Sequence, residues 1–151
     1  MIQQKGFKII GITTQTSNQN SEAPEAIGAL WGQFISENLL EKIPNQLDSD
    51  IICIYTDYQS DYTGKYTCIL GVKVSSLETI PDGLIGREFP GGTFQPFLAK
   101  GELPQAVVET WQQIWQEDQN LNRSYQYDYE VYDERSRQGA DSEVAIFIAK
   151  N

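Results

Sequence analysis

Two stretches of helical periodicity stand at equivalent places in a chain that otherwise reads as strand, and this repetition limits the possible folds more than any other feature. Ile27, Leu30, Trp31, Phe34, Ile35 and Leu39 recur every three or four residues, with Pro24 suited to a first turn and Pro44 closing the helix. Val107, Val108, Trp111, Ile114 and Trp115 repeat the pattern after Gly101-Glu102-Leu103-Pro104. A strand precedes each helix: Phe7 to Ile12 in the first case, and Leu84 to Phe89 resumed as Thr93 to Ala99 in the second, interrupted at Pro90-Gly91-Gly92. Two strands follow each helix. They are Ile51 to Thr56 and Tyr66 to Val74, a hairpin through the polar segment 57–65, and then Tyr125 to Asp133 and Glu143 to Ala149. The polar tract from Thr13 to Asn20 is predicted as a loop.

The order strand, helix, strand, strand therefore occurs twice. It predicts an α+β fold in which duplicated βαββ modules, residues 5–76 and 80–150, share one curved antiparallel sheet with two helices packed on it. The modules meet near Pro81, where Ile80-Pro81-Asp82-Gly83 carries turn chemistry. At 151 residues the chain has the size of one domain, and a single domain over 1–151 is expected. A cleft between related halves is a favoured place for a small-molecule pocket, because neither half encloses it alone.

Charge and residue inventory narrow the chemistry. Asp and Glu outnumber Lys and Arg by 21 to 11, with no basic block, so the clustered cations that displace counterions from phosphates are missing and direct nucleic-acid binding is not expected. The negative balance suits a cationic small molecule or a basic partner, although such an excess more often serves solubility alone. Histidine is absent, which removes the Ser-His-Asp and Cys-His mechanisms. With only Cys53 and Cys68 besides, the usual zinc sites are excluded too; no metal or cofactor is expected, and the two cysteines read as small buried hydrophobes rather than a disulfide. The N-terminal residues lack a secretory signal and no apolar run reaches the roughly 18 residues of a membrane helix, so a cytoplasmic protein is expected.

One strand concentrates candidate chemistry. Alternation along Tyr125-Gln126-Tyr127-Asp128-Tyr129-Glu130-Val131-Tyr132-Asp133 places Tyr125, Tyr127, Tyr129 and Val131 on one face, suited to packing beneath helices. Gln126, Asp128, Glu130 and Tyr132 take the other. That second face is either a solvated sheet surface shielded by Tyr132, or the wall of a concave pocket in which Glu130 is a buried acid. A carboxylate so placed loses hydration, a cost that an organic cation offsets, and aromatic faces around the same ligand add cation–π attraction of roughly 0.5–2 kcal/mol each. Candidate rings are Trp31 on the first helix, Tyr66 in the hairpin, Phe94 or Phe97 after the double glycine, and Trp111 or Trp115 on the second helix. Each of them also reads as a core residue, the commoner role for an aromatic at such spacing.

These stretches resemble the GyrI-like family, the effector-binding domain of AraC- and MerR-type regulators. The resemblance is carried by Ala26 to Phe34 around Trp31, Ile51 to Val74, Ile80 to Leu84 leading to Phe89-Pro90-Gly91-Gly92-Thr93-Phe94, Asp128 to Arg135, and Ser142 to Ile148. It implies two pseudo-symmetric modules in one sheet and a pocket that binds lipophilic cations through a glutamate. That glutamate falls on Glu130, the family's first-helix aromatic on Trp31 and its hairpin tyrosine on Tyr66. With strands starting near Phe7 there is no room for a helix-turn-helix, so the chain resembles the stand-alone sensor half, as in integron-cassette relatives.

Three functions follow as expectations. The first is non-enzymatic binding of a lipophilic organic cation, for sensing or sequestration. The second is hydrolysis of an electrophilic toxin, as the resemblance implies for some relatives, with Glu130 as general base. The third is an adaptor acting on a protein partner such as a transcription regulator or topoisomerase.

Overall fold

The computed structural model describes residues 1–19 and 22–151. Strands β1 (Ile2–Gln4) and β2 (Phe7–Ser17) lead to helix α1 (Glu22–Ser36) and the single turn α2 (Leu39–Lys42), followed by β3 (Gln46–Thr56) and β4 (Lys65–Val74). The second half repeats this: β5 (Ile85–Phe89), β6 (Gly92–Lys100), α3 (Gln105–Gln116), the turn α4 (Asp118–Leu121), β7 (Tyr127–Tyr132) and β8 (Glu143–Lys150). All eight strands form one antiparallel sheet in the order β1-β6-β8-β7-β3-β4-β2-β5. This is the duplicated α+β architecture that the periodicity predicts, curled into a half-barrel. None of the described helices is long and apolar enough to cross a membrane.

Local differences from the predicted elements have identifiable causes. β2 continues to Ser17, because ladder pairing with β4 from Thr13–Ile69 to Ser17–Lys65 holds a tract whose polarity alone reads as loop; Asn20 lies outside the described residues. The first helix stops at Ser36 and restarts as α2, since Asn38 takes a left-handed conformation (φ 54°) that a short polar side chain tolerates. The interrupted strand of the second half is two strands on opposite sides of the sheet order, β5 on β2 and β6 on β8.

The seam between the halves is built from this interruption. β1 pairs with β6 from Ile2–Phe94 to Gln4–Gly92, and β2 pairs with β5 from Phe7–Phe89 to Gly11–Ile85, in one continuous phase. Where the two kinked segments cross, backbone touches backbone: a Cβ on Gly6 would stand 2.6 Å from the Phe89 carbonyl oxygen, and one on Gly91 2.7 Å from that of Gln4. Gly6→Ala is accordingly expected to cost about 1–3 kcal/mol, seen as a lower urea midpoint with unchanged slope.

Both faces of the sheet are buried. Inside the curl, Phe7, Ile9, Ile52, Ile54, Ile69, Phe89, Phe94, Tyr127 and Tyr129 form a core that contains no helix residue. The Tyr127–Tyr129 face of β7 thus turns into the curl and not beneath the helices, contrary to the expectation from its apolar character. The helices lie on the other face: α1 through Leu30 and Phe34 on β2, β3 and β4, and α3 through Val107 and Ile114 against Val144, Ile146 and Ile148 of β8. The acid-bearing face of β7 is covered between them.

Candidate functional site

The central strands β3 and β7 join the two halves, with Cys53 opposite Glu130 and Tyr55 opposite Asp128. Above this junction the helices stand apart, and a cavity of about 520 Å³ opens between them. That volume lies within the usual range for a drug-sized ligand. Helix α1 contributes Trp31 and Ile27; α3 contributes Val107, Trp111 and Trp115. The sheet and its loops supply Tyr55, Tyr58, Tyr62, Tyr66, Glu130 and Tyr132.

Glu130 is 1% exposed and forms no ion pair among the described residues. Its oxygens instead accept three neutral hydrogen bonds: Oε2 from the Tyr55 hydroxyl at 2.9 Å and Trp111 Nε1 at 2.6 Å, and Oε1 from the Tyr132 hydroxyl at 2.7 Å. Burial pushes this carboxyl above the ordinary carboxylate range, and the donors from Tyr132, Trp111 and Tyr55 oppose it. Burial first, and then the charge of Glu130, raise the hydroxyls of Tyr55 and Tyr132, which stay protonated and donating. Beside it lie the thiols of Cys53 and Cys68, both fully buried, their sulfurs 3.6 Å apart.

A second buried acid shares the strand face. Asp128, fully buried, accepts Arg123 Nη2 at 2.8 Å and the Tyr58 hydroxyl at 2.5 Å on Oδ2, and the Ala149 N–H at 2.8 Å on Oδ1. Arg123 also donates to Asp118 at 3.0 Å, and its guanidinium lies 4.3 Å from the Tyr125 ring centre. Burial raises Asp128 as well, against the pull of Arg123, Tyr58 and the Ala149 amide. The two carboxylates two residues apart therefore differ: Asp128 carries its own cation, and Glu130 does not.

Of the eight residues singled out in the sequence, the cavity brings together Glu130, Trp31, Tyr66, Trp111, Trp115 and Tyr132. Phe94 and Phe97 stand elsewhere. They are three apart on β6 and so point oppositely, Phe94 into the core of the curl and Phe97 against the core under α3; neither lines the cavity. Tyr55, Tyr58, Tyr62 and Arg123 line it without having been foreseen. Tyr55 shares the face of Cys53 by strand alternation, a signal that was legible; Tyr58, Tyr62 and Arg123 sit in irregular segments where no periodicity marks direction.

A curled duplicated sheet with an aromatic cavity between two pseudo-equivalent helices defines a small-molecule effector-binding domain. The chain belongs to the family of integron-associated effector binding proteins, whose model matches residues 1–149. It is 26% identical over 145 residues to the Bacillus subtilis protein YobU, which bears the name of a transcriptional regulator; the match covers 94% of this chain and 91% of YobU. An integron cassette protein from the mobile metagenome of Vibrio cholerae has a similar structure, with a TM-score of 0.74, 26% identity, and coverage of 99% of this chain and 94% of that one. SAV2435, solved bound to tetraphenylphosphonium, shares the fold with a TM-score of 0.82 at 15% identity, over 99% of this chain and 92% of its own.

Proposed function

We propose that the chain binds a lipophilic organic cation between α1 and α3, with Glu130 as the counter-charge and no chemical conversion of the ligand. The observation that carries this reading is the burial of Glu130 in an aromatic cavity without a cationic partner among the described residues. An ionised group removed from water is costly unless paired, and Asp128, two residues away, has its arginine. A ligand cation completes the missing pair. The rings around it add face attraction, and smooth aromatic walls accept many lipophilic shapes. The fold-sharing SAV2435, bound to tetraphenylphosphonium, supports this ligand chemistry.

Three donors already engage both carboxylate oxygens, which suits a fixed counter-charge better than a general base that must take a proton on one of them. Titration with tetraphenylphosphonium, followed by tryptophan emission, tests the proposal directly, since Trp31, Trp111 and Trp115 all line the cavity. Glu130→Gln keeps the shape and most of the hydrogen bonds, and is expected to weaken binding by about tenfold or more, equivalent to about 1.4 kcal/mol. Equal affinity of the variant and wild type would remove Glu130 from the proposal.

A further inference from the structure

One ring contact in the cavity differs in kind from its neighbours. Tyr62, in the loop between β3 and β4, stacks on Trp115 in the last turn of α3 with the planes 8° apart and the centroids at 5.6 Å. The other ring contacts among the cavity's aromatics are tilted or edge-on, as in Tyr55–Trp111 at 82°, Tyr55–Tyr66 at 77° and Trp31–Tyr132 at 74°. Edge-on rings brace one another within a packed wall. An offset parallel stack instead covers part of a ring face, which is the surface a flat ligand would use.

The position of the stack gives this its meaning. Gln59, Ser60 and Thr63 around Tyr62 are exposed, as are Gln112 and Gln116 around Trp115, so the stack lies at the solvent end of the cavity. At the inner end, Trp111 donates to Glu130, and its ring is 6.4 Å from that of Trp115. The loop is a self-contained turn: Gln59 N–H bonds the Lys65 carbonyl at its base, and Thr63 N–H bonds the Asp61 carboxylate. Two side chains tie its tip to the rest of the molecule, Asn18 Nδ2 on the Tyr62 carbonyl at 2.8 Å and Gln19 Nε2 on the Thr63 carbonyl at 2.8 Å.

We infer that Tyr62 occupies in cis the stacking face of Trp115 that a flat aromatic ligand would take. The loop is thus a built-in competitor that biases the cavity toward bulky, three-dimensional cations over flat polycyclic ones. This rests on the cation-binding reading above and adds the shape class of the ligand. Inserting a further ring between Tyr62 and Trp115 demands an extra ring thickness, roughly 3.5 Å, from a tethered loop, so a flat ligand must first break the stack. A propeller-shaped cation reaches Trp111 and Glu130 without needing that face.

The test compares two probes, flat acridine orange and propeller-shaped tetraphenylphosphonium, on wild type, Tyr62→Ala and Tyr62→Phe. The readout is the ratio of the two affinities, which a general loss of folding or of cavity charge does not move. Tyr62→Ala is expected to raise the preference for acridine orange roughly twofold to tenfold, the range that one lost ring stack implies. Tyr62→Phe keeps the ring and should hold the wild-type ratio. An alanine ratio at or below wild type overturns the inference and leaves the cation reading standing, as does a phenylalanine ratio that rises as far as alanine's. Failure of wild type to bind either probe overturns both.

Discussion

Arg123→Met should destabilise the folded chain by about 3–5 kcal/mol at neutral pH, the largest single-residue effect expected here. Its guanidinium side chain is 1% exposed and pairs with the fully buried Asp128 at 2.8 Å and with Asp118 at 3.0 Å. Methionine fills much of the volume but leaves the Asp128 carboxylate with only the Tyr58 hydroxyl and the Ala149 amide. A buried charge that has lost its partner keeps its full desolvation cost. Two measurements separate this from a simple packing defect. Adding Asp128→Asn to Arg123→Met should recover a large part of the loss, because the orphaned charge is gone. Lowering the pH should also narrow the gap between Arg123→Met and wild type, since a carboxyl already raised by burial takes up a proton more readily once the arginine has left. Urea unfolding at two pH values reads both.

Cation affinity should fall with decreasing pH, by up to about tenfold per pH unit once the pH lies below the raised pKa of Glu130. The sign follows from what the carboxyl must do. Above its pKa it is ionised, and a cation binds with no proton to displace; below it, each binding event first expels a proton. The bound cation holds the ionised form, so binding below the raised pKa of Glu130 releases a proton to solvent, countable by calorimetry in buffers of different ionisation heat. The ligand-free protein shows the opposite trend. A carboxyl whose folded pKa is raised above the unfolded value, about 4.3 for glutamate, contributes stability that is fully present below that value and lost as pH rises through the folded pKa. Cation-induced stabilisation should therefore be greatest above the raised pKa of Glu130. Glu130→Gln should flatten the affinity profile, and any dependence that survives in it belongs to Asp128, the other raised acid beside the cavity.

The sequence contained the strand pattern of β7 but not its surroundings. Alternation correctly separates Tyr127 and Tyr129 from Asp128, Glu130 and Tyr132, because the pleat leaves no other choice. It fails for Tyr125, which precedes the strand in a left-handed conformation (φ 58°) and turns to Asp118 and Arg123 instead of joining the Tyr127 face. It could not say which face lies under the helices. Polarity favoured the tyrosine face, and the structure gives it to the acid face, because a curled sheet buries its inner surface against itself and leaves the outer one for α1 and α3. Helical spacing in the same way located Trp31, Trp111 and Trp115. The Tyr55 and Trp111 bonds to Glu130 join residues 75 and 19 positions away and depend on register and helix placement, which no local pattern encodes. Arg123 was hidden for another reason: it lies in the connection after α4, bounded by Asn122 in a left-handed conformation, where neither period applies.

The seam at Gly6 and Gly91 has a consequence for how the molecule can be divided. β1 leads the first half yet pairs with β6 of the second, and β5 leads the second half yet pairs with β2 of the first. This is the exchange of arms seen in a strand-swapped homodimer, written into one polypeptide. Each half, expressed by itself, would carry an arm with nowhere to dock and an edge with nothing on it, and two copies would satisfy both by trading arms. On the intact chain the same exchange joins residues as far apart as Ile2 and Phe94, a long-range pairing of the kind that slows folding.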